Sequence, residues 1–184
     1  GASRNTSGGF EDAGQAFLFN STGTLLQTFD NPQPVGGARF GRSVAAMGSD
    51  ILIGAPRNTS GGFEDAGQAF LFNPTGTLLQ TFDNPQPVVN GLFGFSLAAV
   101  DSNILIGAFL NTSGGVTRAG QAFLFNPTGT LLQTFDNPQP VGGGSFGISF
   151  ATVGSDILIG AEGNTSGGFE DAGQAFLFHP TGTL

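Results

Sequence analysis

The residues imply an all-β chain, a β-propeller built of four-stranded antiparallel blades, on three grounds. A block of sequence recurs at a fixed period, each period holds four short apolar runs separated by turn formers, and those runs are apolar on both faces. GASRNTSGGFEDAGQAFLFN begins at residue 1, GAPRNTSGGFEDAGQAFLFN at 54, GAFLNTSGGVTRAGQAFLFN at 107 and GAEGNTSGGFEDAGQAFLFH at 160, a spacing of 53 residues. A sheet with one wet face alternates apolar and polar positions, whereas a strand covered on both faces does not. Blades that bury one another radially have this second pattern. The coils of a β-solenoid are usually much shorter than this period.

Residues 40–83 serve as the reference unit. Strand A is FGRSVAAM (Phe40–Met47), whose Ser43, Ala45 and Ala46 are small enough for a crowded axis, and the turn Gly48-Ser49-Asp50 closes it into a hairpin with strand B, ILIGA (Ile51–Ala55). The loop PRNTSGGFEDAG leads to strand C, QAFLF (Gln68–Phe72), in which Phe70 and Phe72 point to one side and Ala69 and Leu71 to the other. Asn73-Pro74-Thr75-Gly76 turns the chain into strand D, TLLQTF (Thr77–Phe82). Asp83-Asn84-Pro85-Gln86-Pro87 then ends it, because two prolines remove donors and fix φ. The chain divides into a partial blade over 1–39, with strands C (Gly14–Phe19) and D (Thr24–Phe29), blades over 40–92 and 93–145, and a blade over 146–184 whose last strand is cut to Thr183-Leu184. About three and a half blades are fewer than the four that small propellers use to close. Unpaired strand edges at both ends are templates for another chain, which predicts self-association or membership of a longer repeat chain. Phe17, Phe19, Phe70, Phe72, Phe123, Phe125, Phe176 and Phe178 recur with the period and are predicted core residues.

Composition narrows the function. Gly is 32 of 184 residues, only 10% of residues are charged, and 20 Phe supply the only aromatic rings besides one His. With no Lys, 5 Arg and 13 Asp and Glu, the net charge of −8 argues against nucleic acid and anionic membrane surfaces as partners. The absence of Cys excludes disulfides, thiolate metal sites and a thiol nucleophile. No apolar stretch approaches the ~20 residues that span a bilayer. The chain opens on Gly1 rather than Met, as a processed, excised or partial chain does.

Phe40-Gly41 followed by Ile53-Gly54-Ala55-Pro56 resembles the FG-GAP repeat of integrin α-subunit propeller heads and of bacterial multi-repeat proteins. Phe93-Gly94 with Gly107-Ala108, and Phe146-Gly147 with Gly160-Ala161, repeat it without the Pro. The near-identical copies look most like the bacterial multi-repeat proteins. The resemblance implies a propeller fold and an extracellular or cell-surface setting, with adhesion or ligand binding as the integrin-like role. Calcium does not carry over. The integrin loops place several acids between strands A and B, and here that turn is Gly48-Ser49-Asp50, Asp101-Ser102-Asn103 or Gly154-Ser155-Asp156.

The only weak metal candidates are in the B–C loop, at Asn58, Glu64 and Asp65, with Glu170 and Asp171 in the last copy. The third copy has Thr117 and Arg118 instead of the acids, so a solvated turn with Asn58 and Thr59 bonding their own backbone is the plainer reading. Asn5, Asn58, Asn111 and Asn164 begin N-T-S and Asn20 begins N-S-T, which are sequons by pattern, but the Gly-Gly after each N-T-S favours turn making. His179 stands where the other copies have Asn and reads as an ordinary surface residue. Catalytic residues and cofactors are not expected: the one His is unrepeated, no Ser lies in a nucleophile elbow, and the Gly runs precede no helix. The copies differ at Arg39, Leu92 and Ser145, at Arg42, Phe95 and Ile148, and at Ser3, Pro56, Phe109 and Glu162, near the D–A link and the end of strand B. These exchanges share no chemistry and read as drift. The expectation is a non-enzymatic scaffold, able to assemble end to end into a filament or surface layer, with a loop-based module for a protein or glycan ligand as the alternative.

Overall fold

A computed structural model describes residues Gly1–Leu184, and it contains strands and turns without a helix. A two-stranded sheet comes first, β1 (Gln15–Phe19) with β2 (Leu25–Asp30). The first complete blade is the meander β3 (Ser43–Met47), β4 (Asp50–Ala55), β5 (Gln68–Phe72), β6 (Leu78–Asp83). The second is β7 (Ser96–Val100), β8 (Asn103–Ala108), β9 (Gln121–Phe125), β10 (Leu131–Asp136). The third sheet has three strands, β11 (Phe146–Val153), β12 (Asp156–Ala161) and β13 (Gln174–Phe178). All pairings are antiparallel, and the register sets Ile53 opposite Phe70 and Phe70 opposite Thr81. That register puts alternate side chains of each blade against different neighbours.

The core accordingly lies between blades. Leu52, Ala69, Leu71 and Phe82 of the first blade meet Phe93, Ile104, Ile106, Phe123 and Phe125 of the second. Three phenylalanines set the geometry: Phe125 meets Phe82 at 5.4 Å and Phe93 at 6.1 Å between ring centroids, both edge to face. Phe72 repeats this with Phe29 and Phe40, and Phe178 with Phe135 and Phe146. Such pairs add about 0.5–1.5 kcal/mol beyond burial. Every residue of β5 and β9 is buried, as strands covered on both faces must be.

Four expectations need correction. Phe17 is only half-buried and Phe19 is 55% exposed, because no blade covers that face of β1. Strand A starts at Ser43 rather than Phe40 in the first blade. Arg39 and Gly41 have positive φ and turn Phe40 back onto the preceding sheet, where its N–H donates to the Ala13 carbonyl. Thr183-Leu184 is no strand; the Thr183 carbonyl closes the turn by accepting from the His179 N–H. The small residues of strand A are only partly enclosed: Ser43 and Ala45 are half-buried against the next blade, where Ser43 bonds the Gly94 carbonyl and Ala45 packs on the shared core, but Ala46 is exposed.

The C–D turns are closed by a side chain. Asn73 Oδ1 accepts from the Thr75 N–H, the Thr75 hydroxyl and the Thr77 N–H, and Gly76 supplies the positive φ. His179 does the same work in the last copy. Its Nδ1 lies 2.8 Å from the Thr181 hydroxyl and 3.3 Å from the Thr181 backbone nitrogen, so it is a turn former like the Asn it replaces.

Candidate functional site

The predicted metal candidates are not drawn together. Asn58 is buried and its amide bonds to Asn31 and Gln68, while the Asp65 carboxylate lies 3.5 Å from the Arg57 guanidinium. Glu64, Glu170 and Asp171 are exposed, and no three His, Asp or Glu side chains converge as a metal site requires. The backbone of this loop has a structural role instead. The carbonyls of Glu64, Asp65 and Ala66 accept from the N–H groups of Asn90, Leu92 and Phe93, so the loop holds the strand that enters the next blade. A chelator titration is expected to leave the melting temperature unchanged; a fall of several degrees would reveal a bound cation.

Asn58 also departs from the turn-making expectation, because its partners lie in other motifs. Asn31 Nδ2 donates to Asn58 Oδ1 at 2.9 Å across the blade boundary, and Asn58 Nδ2 donates to Gln68 Oε1 at 2.7 Å. Gln68 Nε2 donates to Gln33 Oε1 across the same boundary and to Asp83 Oδ1 in its own blade. The Ser60 hydroxyl donates to Asp83 too, and accepts from the Asn84 N–H. Asn84, Asn111, Gln86 and Gln121 repeat the ladder one boundary on, and Asn137, Asn164, Gln139 and Gln174 at the next. No buried side-chain donor or acceptor is left without a partner. The sequence held the signal in the strict recurrence of Asp83, Asn84 and Gln86, which chain termination by proline does not require. Burial also closes three sequons, since Asn58, Asn111 and Asn164 are at most 1% exposed, while Asn5 and Asn20 face solvent. Any N-glycan added in a eukaryotic host is expected only at Asn5 or Asn20, and glycan on an Asn164 peptide in mass spectrometry would contradict the folded arrangement.

A second clasp joins the blades through glycine. Gly94 has φ +86°, and a Cβ there would collide with the Gln68 carbonyl of the preceding blade. Its own carbonyl crosses so close over Gly54 that a Cβ on Gly54 would strike it, and it accepts a hydrogen bond from the Ser43 hydroxyl at 2.6 Å. The Phe-Gly of one blade is thus seated on the Gly-Ala of the blade before it, with Phe93 filling the shared core.

Outside these clasps, a groove opens at each boundary between the D–A link and the B–C loop. The three equivalent grooves have volumes of about 300, 420 and 380 Å³ and contain Glu64 and Asp65, Thr117 and Arg118, and Glu170 and Asp171 respectively. A smaller hollow of about 190 Å³ adjoins the middle one, sharing Arg57 and Leu92 with it and adding Arg39, Arg42 and Phe95. Arg39, Arg42, Pro56, Leu92 and Phe95, five of the positions where the copies differ, therefore meet around one hollow.

Comparison with known proteins agrees with this geometry. Residues 34–72, which run from the D–A link through strand C of the first complete blade, match the FG-GAP repeat family. No curated protein matches the chain. Among solved structures, BamB from Moraxella catarrhalis superposes with a TM-score of 0.53 at 13% identity, over 89% of this chain and 37% of that one. The chain thus spans little more than a third of that protein, and the likeness is one of fold. Residues 34–72 thus match the FG-GAP repeat, the periods around them repeat the sequence of that segment, and the four-stranded sheets have the fold of β-propeller blades.

Proposed function

We propose that this chain is a non-enzymatic, extracellular structural module whose blades continue an array of further FG-GAP blades, end to end. The observation that supports this is the pair of open end faces. Phe19 on β1 and Leu177 on β13 are 55% and 44% exposed, whereas their equivalents Phe72 and Leu71 are buried against a neighbouring blade. Each end shows residues that a blade of the same repeat would cover, and the outer edge of β1 is bridged only at Gln15, by Ala2, where β5 pairs with β4 along its whole length. Asn5 fits the same account: it reaches only Gln15 and stands exposed where Asn58 is clasped by Asn31. Sedimentation velocity over a wide concentration range tests the reading. Concentration-dependent growth of the 18.6 kDa chain is expected, and a compact, cooperative, strictly monomeric species overturns it.

A second reading, adhesion through the loops, draws support from the hollow around which five of the varied positions meet.

A further inference from the structure

We propose that the middle groove, between the first and second complete blades, binds an acidic glycan bearing carboxylate or sulfate groups. Its charge is what sets it apart. The grooves one period before and one period after carry Glu64 with Asp65 and Glu170 with Asp171, while the middle one carries Thr117 and Arg118 at the same places. That exchange removes two negative charges and adds a positive one where Arg57 of the neighbouring blade already lines the wall. The adjoining hollow adds Arg39 and Arg42, so four of the five arginines in a chain of net charge −8 lie along one run of surface. The Arg42 guanidinium is held 4.4 Å above the Phe95 ring, which in turn packs on Phe109 at 4.5 Å. Drift would scatter such changes, but four arginines on one rim form a site.

The chemistry selects the ligand. Guanidinium groups are permanently charged and match the planar oxygens of carboxylate and sulfate with paired donors. Thr112, Thr117 and Asn90 add hydroxyl and amide groups suited to sugar hydroxyls. A peptide adding as a strand would need free backbone donors, but those of Asn90 and Leu92 are already bonded to Glu64 and Asp65. Asp65, 3.5 Å from Arg57, takes up part of that guanidinium's charge, so Arg118, Arg39 and Arg42 carry most of the attraction; acids further away than about 8 Å are largely screened at physiological salt. The inference is independent of the array, because the groove is complete within one chain.

The test titrates the full chain with polygalacturonate and with dextran sulfate, which separate carboxylate from sulfate recognition, and with neutral dextran and poly-glutamate. Binding to at least one acidic polysaccharide is expected, weakening as salt rises, with none to neutral dextran. The double variant Thr117→Glu with Arg118→Asp restores the residues of the sibling loops, and Asp is well tolerated at the positive φ of Arg118, so this variant folds. It is expected to bind at least about tenfold more weakly at unchanged melting temperature, as is Arg57→Gln. Absence of binding to both acidic polysaccharides, undiminished binding by the double variant, or poly-glutamate bound as tightly as the glycans would each overturn the proposal. Sedimentation reports on assembly separately, so a monomer that binds and a polymer that does not are told apart.

Discussion

Replacing Phe72 with Ala is expected to destabilise the fold by about 3–5 kcal/mol. The ring is 4% exposed and closes the aromatic trio with Phe29 and Phe40 between the first two sheets. Its removal takes away the transfer free energy of the ring and leaves a cavity that backbone clasps on both sides prevent from collapsing. For a chain of this size the melting temperature is expected to fall by about 10 °C. Phe19→Ala serves as the control, because the equivalent ring faces solvent and its loss is expected to cost under about 1 kcal/mol. Equal effects at the two positions in thermal or urea unfolding would show that the blade faces do not bury one another as described.

Asn111→Ala is expected to cost about 2–4 kcal/mol. Asn111 is fully buried, and its Nδ2 donates to Gln121 Oε1 at 2.9 Å and to the Gln86 carbonyl at 3.1 Å, while its Oδ1 accepts from Asn84 at 3.1 Å. Truncation leaves Gln121 Oε1 buried without a donor, so the loss includes the desolvation of partners as well as the bonds. Asn5→Ala, at the equivalent exposed position, is expected to change stability by no more than about 0.5 kcal/mol. A small effect at Asn111 would mean that the interblade amides exchange readily with water.

The sheets were legible in the sequence because their signals are local. QAFLF presents apolar atoms to both sides, and Asn73-Pro74-Thr75-Gly76 turns on its own side chain, so neither needs knowledge of the rest of the chain. The amide ladder was hidden because Asn58 finds Asn31 and Gln33 finds Gln68 across 27 and 35 residues, in motifs each of which has a sufficient local explanation as a turn. Phe17 and Phe19 share their sequence with buried copies, and only the neighbouring blade decides their exposure. In the first blade strand A is shorter than its apolar run for a similar reason: Phe40-Gly41 continues the run, but the left-handed backbone at Arg39 and Gly41 directs it to the previous sheet. The basic groove could not be read from spacing either. Arg57 and Arg118 are far apart in sequence and meet on one wall only when two blades are set side by side, and the loss of acids at Thr117 and Arg118 then becomes a change of charge at a place.

Every boundary is made from one face of a period on its near side and the opposite face of the next period on its far side, the Gly-Ala, Leu71 and Asn84 of one blade meeting the Phe-Gly, Phe125 and Asn111 of the next. Insertion or deletion of 53 residues therefore leaves each surviving boundary with the same atoms in the same register, and changes only the number of blades. A length change of another size within the strands or the Phe-Gly segment shifts the register and puts a side chain where Gly94 crosses Gly54. Such a molecule is free to vary its span in whole steps and in no others, and each added copy brings a new rim whose side chains are open to change without touching what holds the blades together.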